Sequence, residues 1–207
     1  VRRRSSAHKI SKRIVKESKN QQKGFVSNAN TQKTNKFFSE LDETCRSTEF
    51  CGYENFQCKS KLTKIIINDE FRNQANIKDV NISLVFEKTP FYPESGGQVG
   101  DCGFIYDENK ELVAEISDTK VFNKIYVHYI GKLHSNLQSD KNYKLVIDIE
   151  RREKIRNNHT ATHLLHQSLR KVVGNHVSQK GSLVNDQKLR FDYTSNEPLS
   201  LDKIKKI

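Results

Sequence analysis

Three histidines share one helical stripe. In His159-Thr-Ala-Thr-His163-Leu-Leu-His166 the first two stand four residues apart. At about 100° per residue, His163 falls about 40° to one side of His159 and His166 about 20° to the other. The leucines then lie on a different face. Two imidazoles one turn apart can bind a single Zn²⁺. The segment lacks the glutamate of a zinc-protease helix, so it does not indicate peptide hydrolysis. The same spacing also suits exposed or hydrogen-bonded histidines that hold no metal.

Two further segments carry polar groups able to meet a ligand. Thr89-Pro-Phe-Tyr-Pro-Glu-Ser95-Gly96-Gly97-Gln98-Val-Gly-Asp101 is rich in glycine. Gly96-Gly97 permits positive φ and a close backbone approach, and the two prolines exclude a regular central strand. A tight turn with a β-bulge accounts for it without any ligand, and no Gly-Lys-Ser/Thr follows to make a phosphate loop. Gln179-Lys180-Gly181-Ser182 follows the histidine helix. It reads either as an ordinary loop or as polar groups at the mouth of the histidine face.

The elements that must position these groups are legible from periodicity. Ile155, Ala161, Leu165, Leu169 and Val172 recur at helical spacing, so a helix is expected from Arg151 to Val173, stopped by Gly174-Asn175. Upstream, β-type runs occur at Leu62–Ile67, Val80–Phe86, Leu112–Ile116, Ile125–Ile130 and Tyr143–Ile149, separated by turn-forming clusters. Short strands at this spacing predict a small barrel or a strongly bent sheet. Downstream, Ser182–Val184 and Lys188–Tyr193 read as two strands, and Leu201–Ile207 as another helix. The expected class is α+β. Residues 1–36 form a basic arm and linker, 37–150 a β-rich barrel-like part with the glycine-rich motif, and 151–207 the start of an α/β part on the long histidine helix.

Composition narrows the partners. The net charge is +11. Residues 1–36 carry eleven Lys/Arg and one acid, Glu17, a net of +10, which leaves +1 for everything else. The basic signal therefore belongs to the arm, which fits a polyanion such as nucleic acid or, equally, a solvated tail. Cys45, Cys51, Cys58 and Cys102 include no CxxC pair, so reduced thiols and a cytoplasmic location are expected. No apolar run approaches the ~20 residues of a membrane helix. The chain begins at Val1 and contains no methionine, which is read as a piece of a longer protein.

Taken together and in order, TPFYPESGGQVGD, RNNHTATHLLHQSLR, HVSQKGSLV and LRFDY resemble the editing region of alanyl-tRNA synthetases. The resemblance runs from about Thr48 to Ile207. It leaves out the family's ATP-using aminoacylation domain. It implies a region that hydrolyses seryl- and glycyl-tRNA(Ala). Alanine differs from glycine by one methyl and from serine by one hydroxyl. Binding alone discriminates such pairs by only about 1–3 kcal/mol, so a second, hydrolytic site is needed.

By that resemblance His159 and His163 are zinc ligands, and a CxxxH segment supplies the other two. No CxxxH occurs in this sequence, so only half of the site is expected here. Thr162 is implied as the hydroxyl that distinguishes a serine side chain, and Gln179 as the polar contact to the aminoacyl end. Gly96 and Gly97 are implied as support for the pocket, and Lys180 as a contact to the substrate. Arg151, Arg152, Lys154 and Arg156, at the start of the helix, face tRNA phosphates or form a solvated face. A free-standing trans-editing hydrolase and a non-catalytic tRNA-binding module are the competing readings. The first would carry both halves of the zinc motif, and the second would rely on the arm. The related editing domain of threonyl-tRNA synthetase shares HxxxH, but SGGQVGD and QKGS favour the alanyl branch.

Overall fold

The computed structural model describes Leu41, residues 44–195 and residues 197–207. The chain divides into two compact units, residues 1–41 and 42–207. The second is described below. The expected basic arm, 1–36, lies outside the described residues.

Among the described residues the elements follow in order: β1 (Glu49–Phe50), β2 (Gln57–Ile67), β3 (Glu70–Arg72), β4 (Gln74–Ala75), β5 (Ile82–Phe86), β6 (Lys88–Thr89), β7 (Gly103–Tyr106), β8 (Leu112–Phe122), β9 (Ile125–Leu133), β10 (Leu137–Gln138), β11 (Asn142–Ile147), α1 (Ile149–Val172), β12 (Gln179–Val184), β13 (Leu189–Tyr193) and α2 (Leu201–Lys206). Six of them close into a barrel. The order is β11-β7-β8-β9-β5-β2, and β11 pairs back onto β2. All six pairings are antiparallel. Closure satisfies both backbone edges of each of these strands, which is how a short sheet avoids exposed edges.

Alternation in the sequence becomes alternation across the barrel wall. In β11, Tyr143, Leu145 and Ile147 point inward between exposed or half-buried neighbours. They meet Leu62, Ile65, Leu84, Phe86, Phe91 and Ile105 in the core. Two hairpins use two-residue turns whose central residues have positive φ: Asn68-Asp69 between β2 and β3, and Asn123-Lys124 between β8 and β9. That geometry matches the right-handed strand twist, and Asn and Asp tolerate it better than most residues.

A buried polar chain pins the Thr89-Pro90-Phe91 segment to the barrel. His128 Nδ1 lies 3.1 Å from the Leu84 carbonyl, which only accepts, so Nδ1 carries the proton. Nε2 therefore accepts from Thr89 Oγ1 at 2.8 Å, and Thr89 Oγ1 in turn accepts from the Phe91 amide at 3.2 Å. Phe86 and Phe91 set their edges against the imidazole. Full burial pulls His128 down to a pKa of about 4.

The expected barrel and helix are both present, with corrections in detail. The strand β7 was not among the expected runs. It is four residues long and abuts the glycine-rich motif, so periodicity gave no separate signal. Helix α1 begins at Ile149 rather than Arg151, because Asp148 caps it by accepting from the Arg151 amide at 2.9 Å. Gln179-Lys180-Gly181-Ser182 is not a loop but the first part of β12, paired with β13. Among the described residues, no helix is long and apolar enough to cross a membrane.

Candidate functional site

Helix α1 leaves the barrel at an ion pair. Arg152 is buried, and its guanidinium donates to the Gly52 carbonyl at 2.7 Å, the Pro90 carbonyl at 2.7 Å and the Asp101 carboxylate. Asp101 also accepts from the Tyr92 amide at 2.7 Å. Arg152 is thus turned into the protein and does not face phosphates, which corrects its grouping with the outward arginines. The neighbouring side chains differ. Arg151 is partly exposed and donates to the Gly100 carbonyl at 2.9 Å. Lys154 and Arg156 are exposed and pair along the helix with Glu150 and Glu153.

The glycine-rich segment makes the second wall. Ser95 and Gln98 exchange backbone hydrogen bonds of 2.9 and 3.1 Å around Gly96-Gly97, whose φ values are +59° and +86°. This tight turn docks on β12, with Val184 N donating to Gly97 O at 2.8 Å and Val99 N to Val184 O at 3.1 Å. A Cβ on Gly97 would lie 2.4 Å from the Ser182 carbonyl, whereas a Cβ on Gly96 meets nothing within 4 Å. Gly97 is therefore required for contact, and Gly96 for its backbone angle alone.

The turn, α1 and the β12–β13 hairpin enclose a cleft of about 110 Å³. It is lined by Gly96, Gln98, His159, Thr162, His163, His166, Gln179, Ser182, Val184 and Phe191. Five expected site residues meet there: Gly96, His159, Thr162, His163 and Gln179. Gly97 stands behind the wall, and Lys180, Arg151 and Arg156 are not part of the lining. Gln98, His166, Ser182 and Phe191 were not singled out as site residues. Their signal was present, since each lies in a motif already quoted, but only the fold turns them to one cleft.

The polar groups have defined states. His159 Nδ1 is 2.6 Å from Gln98 Oε1, an amide oxygen that can only accept. Nδ1 is therefore the donor in this contact, which leaves Nε2 as the nitrogen free to meet a ligand. The His159 and His163 rings stack at 5.0 Å and 20°. Thr162 Oγ1 donates to the Asn158 carbonyl one turn back at 2.8 Å, so toward the cleft it can only accept.

A carbonyl on the far nitrogen of a histidine is the usual outer support of a metal-binding imidazole. His159 and His163 present two imidazoles one turn apart on the wall of the cleft. Among the described residues, no group of three or more His, Cys, Asp or Glu side chains could hold one.

The comparisons with known proteins decide the family. Residues 5–151 match the model of the class II (A) tRNA synthetases. The chain belongs to that family. It is 40% identical over 171 residues to alanine–tRNA ligase of Fusobacterium nucleatum, covering 83% of this chain and 18% of the relative. The ligase of Petrotoga mobilis is 42% identical over 171 residues, covering 82% and 19%. That of Lactobacillus helveticus is 45% identical over 149 residues, covering 72% and 17%. The chain thus spans about a fifth of the length of the alanine–tRNA ligases it matches. The family match stops at residue 151, at the start of α1, so the cleft residues on α1 and β12–β13 lie beyond it.

Proposed function

We propose that the cleft is the aminoacyl-hydrolysing site of an alanine–tRNA ligase, acting on tRNA(Ala) that carries serine or glycine. The observation that carries this reading is the convergence of His159, Thr162, His163 and Gln179 on one small cleft walled by Gly96 and Gln98. At about 110 Å³ the cleft is small, of a size that suits a small aminoacyl side chain. Zn²⁺ is the expected cofactor, with His159 and His163 as two of its ligands. When bound, it would polarise the ester or a water. ATP belongs to the ligation chemistry of the whole protein and has no role in this cleft.

The chain's own residues bind, orient and exclude. Gln98 fixes the His159 tautomer and ring plane through the 2.6 Å bond. Thr162 offers only acceptor capacity, so it welcomes a hydroxyl or ammonium donor and repels a second acceptor. Gln179, at the start of β12, can contact the carbonyl end of the aminoacyl group. Outside the cleft, Arg156 is exposed on α1, where phosphates of the acceptor strand would pass, whereas Arg151 is held by the Gly100 carbonyl and Asp186 and would meet a phosphate only at its edge.

The test uses the natural full-length protein that contains this chain. It should deacylate Ser-tRNA(Ala) and spare Ala-tRNA(Ala). H159A should lose this activity while keeping the ligation reaction. If H159A hydrolyses Ser-tRNA(Ala) at the parent rate, the cleft is not the site.

A further inference from the structure

His166 is the one ring of the histidine stripe that the proposed chemistry leaves unused. It lies one turn beyond His163, lines the same cleft and packs on Phe191 at a centroid distance of 5.0 Å. Its Nε2 is buried and, among the described residues, has no hydrogen-bond partner. A buried polar atom in this state is costly and rare in native proteins, so its persistence calls for a ligand that satisfies it. The surroundings restrict that ligand. Phe191 packs on the ring, and Gln98, His159, Thr162, His163, Gln179 and Ser182 supply the other polar side chains of the cleft. A cleft of about 110 Å³ admits a small group with one or two polar atoms.

We propose that His166 is a specificity residue whose Nε2 hydrogen-bonds a hydroxyl of the aminoacyl-nucleotide end held in the cleft. The inference rests on the reading of the cleft as an aminoacyl site. Two hydroxyls have this chemistry: that of a seryl side chain, and the vicinal hydroxyl of the terminal ribose. An imidazole nitrogen can donate to or accept from either. The pairing replaces the lost hydration of Nε2 only when the hydroxyl is present. A ligand lacking the hydroxyl leaves that nitrogen unpaired, and this mismatch is the source of discrimination.

The experiment compares H166F and H166N with the parent in the full-length protein. Phenylalanine keeps a ring against Phe191 and removes both nitrogens. Asparagine is smaller and keeps a hydrogen-bonding group. The readouts are deacylation of Ser-tRNA(Ala) and Gly-tRNA(Ala), and calorimetric binding of the non-hydrolysable 3′-serylamino and 3′-glycylamino adenosine analogues. If the side-chain hydroxyl is read, H166F weakens seryl binding and hydrolysis about tenfold or more, leaves glycyl values within about twofold, and H166N recovers part of the loss. If the ribose hydroxyl is read, H166F weakens both ligands equally and H166N recovers both. Parent-like values for H166F with both ligands overturn the proposal. So does an equal loss that asparagine does not repair, since that marks a packing role. Should the parent bind the analogues in a His166-dependent way yet hydrolyse nothing, the hydrolytic reading falls and the role of His166 stands. If the parent neither binds nor hydrolyses, both fall.

Discussion

The barrel and the helix–hairpin region use their polar residues in opposite ways. In the barrel every strand of the closed sheet has two neighbours, and the buried polar groups are paired inward. His128, Thr89 and the Phe91 amide form a chain with each hydrogen assigned. Around α1, His159, Thr162 and His166 face a cleft, and His166 Nε2 is one of two buried side-chain nitrogens without a partner among the described residues, the other being Arg152 Nε where the helix meets the barrel. The first arrangement yields stability and a fixed frame. The second holds polar groups ready for something that enters. The Arg152–Asp101 pair is the hinge of the comparison, because it belongs to the helix by sequence and to the barrel by contact.

Breaking that pair should have the largest effect. D101A leaves the Arg152 guanidinium buried without its counter-charge, an expense of about 3–5 kcal/mol in unfolding free energy. Urea denaturation measures it. A loss below about 1 kcal/mol would mean that the helix and the barrel are not joined there, and the contrast between frame and site would need another boundary.

The barrel's buried histidine predicts a pH dependence of nearly that size. His128 drops from its ordinary 6.5 to about 4 on folding, so the unfolded chain binds the proton more readily. Its contribution is therefore present above pH 6.5 and is lost as pH falls toward 4, a change of about 3 kcal/mol at about 1.4 kcal/mol per pKa unit. Melting curves of the parent and H128Q between pH 7 and 4 should converge as the pH falls. Parallel curves would show that His128 is not the group responsible.

A smaller effect separates the two glycines of the turn. G97A drives a Cβ into the Ser182 carbonyl and should part the turn from β12, reducing deacylation about tenfold or more with little change in the barrel's melting. G96A meets open space and bears only the backbone cost, about 1 kcal/mol. Equal activity of the two variants would remove Gly97 from the site's support.

The smallest effect is expected at the solvated start of α1. R156A should leave melting unchanged and weaken tRNA binding, lowering the slope of log affinity against log salt by about one. An unchanged slope would return Arg156 to the ordinary solvated face.

Several features were legible because they are local. The stripe of His159, His163 and His166 follows from helical spacing alone, and the helix bearing them runs from Ile149 to Val172. Tyr143-Lys-Leu145-Val-Ile147 announced its inward face by alternation, and β11 buries those three residues. Short irregular pieces such as β1, β4, β6 and β10 span two residues each and have no period to read. The Gln179–Ser182 segment read as a loop because glycine and polar residues weaken a strand signal. Pairing with β13 supplies its extended conformation from outside.

The sequence by itself determined which groups share a helix face and which runs make strands, because those depend on neighbours within one or two turns. It also determined the family, through motifs in order. Only the tertiary structure decided which way Arg152 turns, since its partners Gly52, Pro90 and Asp101 are 51 to 100 residues away. The same holds for the tautomer of His159, which is set by Gln98 from 61 residues upstream. Charge and spacing fix what a side chain can do. Burial and a partner brought from afar decide what it does.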